Sequence, residues 1–365
     1  MNQTRKRKAR PDAERRICLL PPQELKVELT GRGPKLTTEL RWKPPKKNAE
    51  AVGGYHVDRV TWWPGVAPVE RRLTEKPVRE CTFRDQTTVA DQINEYRVRA
   101  VNRHFPEVLG PASFPAAVYG FAFMRYAEMV EELRALAEAN PDICRLVDAG
   151  PASGQGLRVW CMVLGTDTSD YPDRPGVFYA GNPHGSEVEG GDACMGVIRE
   201  LVRRYRAHEA AVVDLLENVQ VRIIPVHNPH GRQASERGAP LGVRKNHAGR
   251  PLSPPLDPLE ITDYWRWDNT PGTDPNRNFD AGWEDTGEPN DPSGCTYPGP
   301  RAASAPETRA VVRMARAFRP QISANFHGPC GYPLLPGTWA DGREPVDREL
   351  HYEVGREFAL LSAPL

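Results

Sequence analysis

GVFYAGNPHGSEVEGGDACMGVIRELVRRYR, residues 176–206, passes from an apolar run through a short polar turn into a long segment that reads mostly as helix. The first part, to Asn182, has the content of a buried strand, and the helical part extends past this stretch to Glu217. Between them stand His184 and Glu187, three positions apart. A His-x-x-Glu pair is either two arms of a metal site or two polar residues on a loop, and the spacing alone recurs by chance. Its place gives it weight, because open α/β sheets collect ligand sites outside the carboxyl ends of their strands.

The flanking sequence extends the same texture. RYAEMVEELRALAEANPDI (125–143) carries Tyr126, Met129, Val130, Leu133 and Leu136 at helical spacing and stops at Asn140-Pro141. LRVWCMVLG (157–165), VQVRIIPVHNPHG (219–231) and QISANFHG (321–328) read as strands, and APETRAVVRMARAFRP (305–320) as a helix. Strands alternating with helices predict a mixed α/β sheet covered by helices on both faces. His327 follows QISANF just as His184 follows its own strand, so it is a candidate third ligand. Two His and one carboxylate are a known zinc set that leaves one position open for water. On the bare residues, His227 and His230 in VHNPHG and His247 compete for the same role. His56, His104, His208 and His351 read as surface or structural histidines.

Residues 18–118 have a different pattern. ELKVELTG, TELRWKPP, GGYHVDRVTW, CTFRD and NEYRVRAVN alternate apolar and polar residues between turn signals, with no helical period. Several short alternating strands in about a hundred residues predict a β-sandwich. VLGPASFPAAVYG (108–120) reads as a connector to the α/β part.

The chain has 365 residues, long for one core, so two domains are expected. Its 48 basic and 48 acidic residues balance, which argues against nucleic acid or a membrane surface as main partner. The 37 prolines cluster between apolar segments and indicate many loops rather than a helical bundle. Seven cysteines lack CxxC spacing, so they offer neither a disulfide framework nor a cysteine zinc site. MNQTRKRKARPDAERR at the start holds seven Lys or Arg with no apolar run after them. That is a solvated basic arm rather than a secretory signal. No window approaches the roughly 20 apolar residues of a membrane span. The expected location is therefore cytoplasmic by default.

The order of the motifs then narrows the reading. PVHNPHG, GVRKNHAG, GTDPNRNFDAGW, TYPGPRAASAPETRAV and ANFHG follow the His-x-x-Glu pair in sequence. Together they resemble the M14 family of zinc carboxypeptidases over roughly residues 121–363. That family carries an HxxE pair, an Asn-Pro-x-Gly turn, an Arg-Lys pair, Asn-Arg-Asn-Phe, a Tyr-x-Gly motif ending in Ser-x-x-Glu, and a last ligand His. The resemblance implies that His184, Glu187 and His327 hold Zn2+, while His227 and His230 occupy turn positions. It implies that Arg244 polarises the scissile carbonyl and that Asn276 and Arg277 grip the substrate's terminal carboxylate. A forked, permanently charged guanidinium suits that task. The implied activity is hydrolysis of C-terminal peptide bonds in peptides or proteins.

The N-terminal strands resemble a fibronectin type III module through Trp42 in LRWKPP, Tyr55 in GGYHVDR and Tyr96 in YRVRAVN with GPAS after it. The expected organisation is a basic arm over 1–17, a fibronectin-like all-β sandwich over 18–116, and a carboxypeptidase-type α/β domain over 121–365. The sandwich would serve as a spacer or meet a protein or polymer partner.

Departures from the family bear on activity. Only 38 residues follow His327, and the glutamate that acts as general base in the family has no counterpart among them. Glu344, Glu349, Glu353 and Glu357 lie in GREPVDRELHYEVGREFALL, which reads as an amphipathic helix with Leu350, Val354, Phe358 and Leu361 on its apolar side. A sheet ending at QISANF would keep an uncovered edge. Pro275 replaces an apolar residue, HGPC follows the last ligand, and PLSPPLDPLEITDYWRWDNTPG (251–272) is an insertion expected to rim the cleft. The expectation is a C-terminally truncated zinc carboxypeptidase. Its rivals are a zinc-binding but inactive relative, and an amidase or deacylase on the same scaffold. Asn276 and Arg277 weigh against the deacylase, since they ask for a free carboxylate.

Overall fold

The computed structural model describes residues 19–63, 66–90, 92–154, 156–236, 243–246, 272–287, 290–328, 333–335 and 345–362. The basic arm, His247, Glu344 and residues 251–271 of the insertion lie outside them. The chain divides into two compact units, Met1–Ala122 and Phe123–Leu365.

The first unit is all β. Strands β1 (Gln23–Thr30), β2 (Thr37–Lys43) and β5 (Thr82–Asp85) form one antiparallel sheet. The second sheet runs in the order β4 (Val66–Arg72), β3 (Val52–Trp63), β6 (Ile93–Asn102) and β7 (Leu109–Ala112), and β8 (Ala116–Tyr119) also pairs with β6. Alternation along the strands sends Leu40, Trp42, Tyr55, Val57, Tyr96, Val98 and Ala100 into one core. Trp42 and Tyr55 meet edge-to-face at 5.4 Å. Two features depart from the expected pattern. Val66–Arg72 adds a strand, and the supposed connector carries β7 and β8. Pro111 and Pro115 make that segment look like a linker, yet the long β6 offers it backbone partners at an edge, where proline is tolerated.

The second unit holds a mixed sheet in the order β13-β11-β12-β10-β9. These strands are β9 (Cys144–Pro151), β10 (Arg158–Leu164), β11 (Gly176–Gly181), β12 (Gln220–Ile224) and β13 (Ile322–Phe326). β11 pairs parallel with both β12 and β13, while β10 pairs antiparallel with β9 and β12. The expected sheet is mixed as found, with β9 as a strand the periodicity did not mark. Met162 and Leu164 of β10 face a core shared with α1 (Tyr126–Ala139), α2 (Val188–Arg206) and α3 (Ala210–Asn218). Val159, Cys161 and Val163 point the other way, onto Ala310, Val311, Met314 and Phe318 of α5 (Pro306–Phe318). The single helix expected over 190–217 is two, broken where His208 takes a left-handed φ of 55°. A further short helix, α4 (Pro229–Glu236), follows β12.

β13 lies at one edge of the sheet, with Ile322, Ser323 and Asn325 exposed. The last helix, α6 (Arg348–Ser362), begins after Pro345, later than the sequence pattern placed it. Its intended apolar side is only partly covered: Leu350 is 56% exposed, and Val354 and Phe358 are half-buried. Glu349, Glu353 and Glu357 are exposed. Cys144, Cys161 and Cys194 are buried free thiols, and burial pushes each up to about 12. Among the described residues, no helix is long and apolar enough to cross a membrane.

Glu236 at the end of α4 is a largely buried carboxylate, its side chain 12% exposed, whose Oε1 accepts the Tyr126 N–H at 2.5 Å and lies 3.9 Å from Arg232 Nε. Burial pushes its pKa up to about 7, against the pull of the Tyr126 amide, Arg232 and Arg125 and with the help of Glu128. A carboxyl raised in the folded state binds its proton more tightly there than in the unfolded chain. Its stabilisation is therefore complete below the ordinary value near 4.5 and is lost as pH rises through about 7. The expected loss is on the order of 3 kcal/mol. Urea titrations at pH 5 and pH 8 should show the wild-type advantage over Glu236→Gln shrinking across that window; a difference that does not change with pH would contradict it.

Candidate metal centre

The carboxyl ends of β11, β12 and β13 lie on one side of the sheet, because the three strands run parallel. The register pairs Gly181 with Phe326 and Ala180 with Ile224. The residues that continue each strand thus emerge together: Asn182–Glu187, Val226–Gly231 and His327–Gly328. The first of these turns bends sharply at Asn182, and Glu187 is the residue before α2. Gly185 packs backbone to backbone on Gly231: a Cβ on Gly185 would lie 2.5 Å from Gly231 C and O. The glycines of His-Gly-x-Glu and Asn-Pro-x-Gly are therefore two halves of one close approach.

At this junction His184 Nδ1 lies 2.8 Å from Glu187 Oε1, and His327 Nδ1 lies 2.7 Å from Glu187 Oε2. One potential ligand atom from each residue falls within 4.8 Å of the others, and the two imidazole centroids are 4.9 Å apart. The set fits a zinc ion in chemistry as well as spacing. Both imidazoles turn the same nitrogen toward one carboxylate, and three protein donors leave a fourth position open. The outer nitrogens are held from behind. His184 Nε2 lies 3.2 Å from Asp274 Oδ1, and His327 Nε2 lies 3.4 Å from Asn276 Nδ2. A carboxylate behind a ligand imidazole fixes its ring orientation and raises its basicity. Burial alone would raise the Glu187 carboxyl, but His184 and His327 outweigh it and hold the group down to about 2. Burial resists protonation of His184, yet Asp274 and Glu187 turn its shift upward.

Nothing in the local sequence pattern marks Asp274, although it stands two residues before Asn276. It is fully buried, and its Oδ1 also accepts the Asn276 N–H at 2.9 Å. Its Oδ2 accepts Arg244 Nε at 2.7 Å. Burial would raise its pKa; His184 and Arg244 reverse that and hold it well below the carboxylate range. One carboxylate thus ties a candidate ligand, the Arg244 guanidinium and the short 3-10 turn Pro275–Arg277 that bears Asn276 and Arg277. Arg277 is half-buried; its backbone N–H donates to the Asp274 carbonyl at 3.0 Å and its guanidinium to the Asn276 carbonyl at 3.3 Å.

The remaining motif residues brace this turn. Asn246 pairs with Thr273 through its backbone N–H and its side-chain oxygen, and its amide donates to Glu307 Oε2 at 2.9 Å. Asn278 donates to the carbonyls of Pro298 and Arg301 and to Ser304 Oγ, while its oxygen accepts the Ala305 N–H. The buried Lys245 ammonium is held by the carbonyls of Pro292, Ser293 and Gly294. The spaced motifs seen in the sequence are therefore one hydrogen-bonded frame. His230 is buried and its Nδ1 bonds the Asn246 carbonyl. His227 is buried beside Phe279, at 6.0 Å between rings, and burial drives its pKa down to about 3, so it is neutral. Neither joins the His184, Glu187 and His327 group.

A family model for zinc carboxypeptidases matches residues 129–362, well over half of the chain. The chain belongs to the zinc carboxypeptidase (peptidase M14) family. Carboxypeptidase N catalytic chain from Mus musculus is 27% identical over 220 residues, which cover 57% of this chain and 43% of that protein. Carboxypeptidase B from Homo sapiens is 31% identical over 172 residues, covering 46% and 37% respectively. The crystal structure of carboxypeptidase A from Helicoverpa armigera superposes with a TM-score of 0.52 at 23% identity, over 65% of this chain and 53% of that one. That likeness speaks to the fold alone. The chain spans less than half the length of these curated relatives.

Removing the Asp274 carboxylate should strand His184 and Arg244 together. Asp274→Ala is expected to cost about 3 kcal/mol of unfolding free energy, at the low end for a broken buried pair because Arg244 keeps some solvent. Denaturant unfolding of the metal-free protein measures this, and a loss under about 0.5 kcal/mol would contradict the bracing role.

Proposed function

We propose that this chain carries the metal and carboxylate-binding centre of a zinc-dependent carboxypeptidase that removes C-terminal residues from peptides. The observation that carries the reading is the meeting of His184, Glu187 and His327 at the ends of β11 and β13, beside the Asp274–Arg244 pair. His184, Glu187 and His327 are assigned as ligands. Zinc bound there would supply Lewis acidity and lower the pKa of its water to about 7. Arg244, about a quarter exposed and aimed by Asp274, offers positive charge to the oxygen of a scissile carbonyl as it becomes negative. Asn276 and Arg277 are assigned the substrate's terminal carboxylate; a guanidinium can take both oxygens while the amide sets their orientation. A clamp for a free carboxylate favours cutting at a chain end over the deacylase alternative. Glu349, Glu353 and Glu357, exposed on α6, are assigned no catalytic role.

We assign the N-terminal unit as a fibronectin type III-like sandwich. Its three-stranded β1-β2-β5 sheet, its opposing β4-β3-β6-β7 sheet and the Trp42–Tyr55 contact support this.

Two measurements test the enzyme reading. Elemental analysis should find about one zinc per chain, lost in His184→Ala and in His327→Ala; unchanged metal in both variants would refute the ligand set. The 365-residue chain loaded with zinc should show negligible peptidase activity, because no general base is assigned in it. In a longer form that supplies the base, release of C-terminal residues should be chelator-sensitive and confined to peptides with a free α-carboxylate; there Arg244→Ala should lower kcat by about 10²–10³, and Arg277→Ala should act mainly on KM. Equal cleavage of C-terminally amidated peptides would favour the amidase alternative.

A further inference from the structure

Asn182 lies between strand β11 and the first candidate ligand, and it is fully buried. Its backbone holds a left-handed φ of 53°, which asparagine tolerates better than other residues bearing a Cβ. Its polar groups tie down the turns around the candidate centre. Its Nδ2 donates to the His184 carbonyl at 2.5 Å and to the Glu187 carbonyl at 3.0 Å. Its backbone N–H donates to the Phe326 carbonyl at 3.1 Å, one residue before His327. Its backbone carbonyl accepts the Asn228 N–H at 3.1 Å, binding in the turn that bears Gly231.

The amide is itself held in orientation. Its Oδ1 accepts Arg232 Nη1 at 3.1 Å, and Arg232 is fully buried. The same guanidinium donates to the Val188 carbonyl at 2.9 Å, to Asp192 Oδ2 at 2.6 Å and to the Met124 carbonyl. A cation facing the amide oxygen leaves the NH2 group aimed at the two carbonyls, so the flip is decided by its partners.

We propose that Asn182, locked by Arg232, is the positioning residue that sets the spacing of all three metal-binding side chains. The inference rests on the zinc reading above. One side chain spans the loop from His184 to Glu187 and its own backbone is tied to the strand end that delivers His327, so it links two segments far apart in sequence. Neither aspartate nor glycine, which also tolerate this φ, substitutes. Aspartate would turn an oxygen on the two carbonyls, and glycine would keep the φ while leaving them unpaired.

The test is zinc affinity of the full chain, measured by competition with a chromophoric chelator, in Asn182→Gly and Asn182→Asp. Cobalt(II) absorption reports coordination geometry, and melting of the metal-free protein is followed in parallel. Both variants should bind zinc about 10–100-fold more weakly, the range for lost supports behind a metal ligand, with an altered cobalt spectrum. Wild-type zinc affinity and a wild-type cobalt spectrum in folded Asn182→Gly would overturn the proposal, whatever its melting temperature. Should Asn182→Asp fail to fold, Asn182→Gly decides alone. A wild-type chain that takes up no zinc would instead remove the metal reading itself.

Discussion

The parallel pairing of β11 with β13 is the constraint on which the candidate centre depends. It brings Glu187 and His327, separated by 140 positions, to within hydrogen-bonding distance. The register matters as much as the pairing. With Gly181 opposite Phe326, the turns leaving both strands start at the same level of the sheet. A slip of one residue would turn every side chain of β13 to the other face of the sheet.

A second constraint follows from the first. Strand ends that converge inside a fold bury polar groups, and each buried polar group must find a partner. Asp274 solves this for His184, Arg244 and the backbone N–H of Asn276, which all meet its carboxylate. The two Nη groups of Arg232 do the same for Asn182, Val188, Met124 and Asp192. The flanking motifs are the scaffolding of that arrangement: Asn246, Asn278 and Glu307 carry no assigned chemistry but close the frame that aims Asp274.

The two units differ in how they bury charge. In the β-sandwich, Arg59 and Asp85 pair at 2.5 Å inside the fold, with Tyr96 donating to the same carboxylate at 2.9 Å. That network is self-contained and links strands β3, β5 and β6. In the α/β unit the buried Asp274 and Arg232 instead bond residues of the turn that bears His184 and Glu187, while the buried Arg222 bonds Gln220 and the carbonyls of Ser169 and Asp170.

Much of this was legible in residue order alone. Alternation located five strands of the sandwich, and helical spacing located α1 and α5, because these patterns follow from local side-chain periodicity. His184, Glu187 and His327 were legible as candidates because each stands just after a strand. β4, β7, β8 and β9 were not, since short or proline-bearing strands are defined by the neighbour they pair with. Asp274, Asn182 and Arg232 were equally hidden: nothing local distinguishes a buried asparagine that spans two carbonyls from one in a surface turn. Chemistry-bearing residue types and their positions relative to strands were determined by sequence. Which of them face one another, and which charge compensates which, only the tertiary structure decided, because hydrogen bonds across 30 to 140 positions exist only once the sheet has set its register.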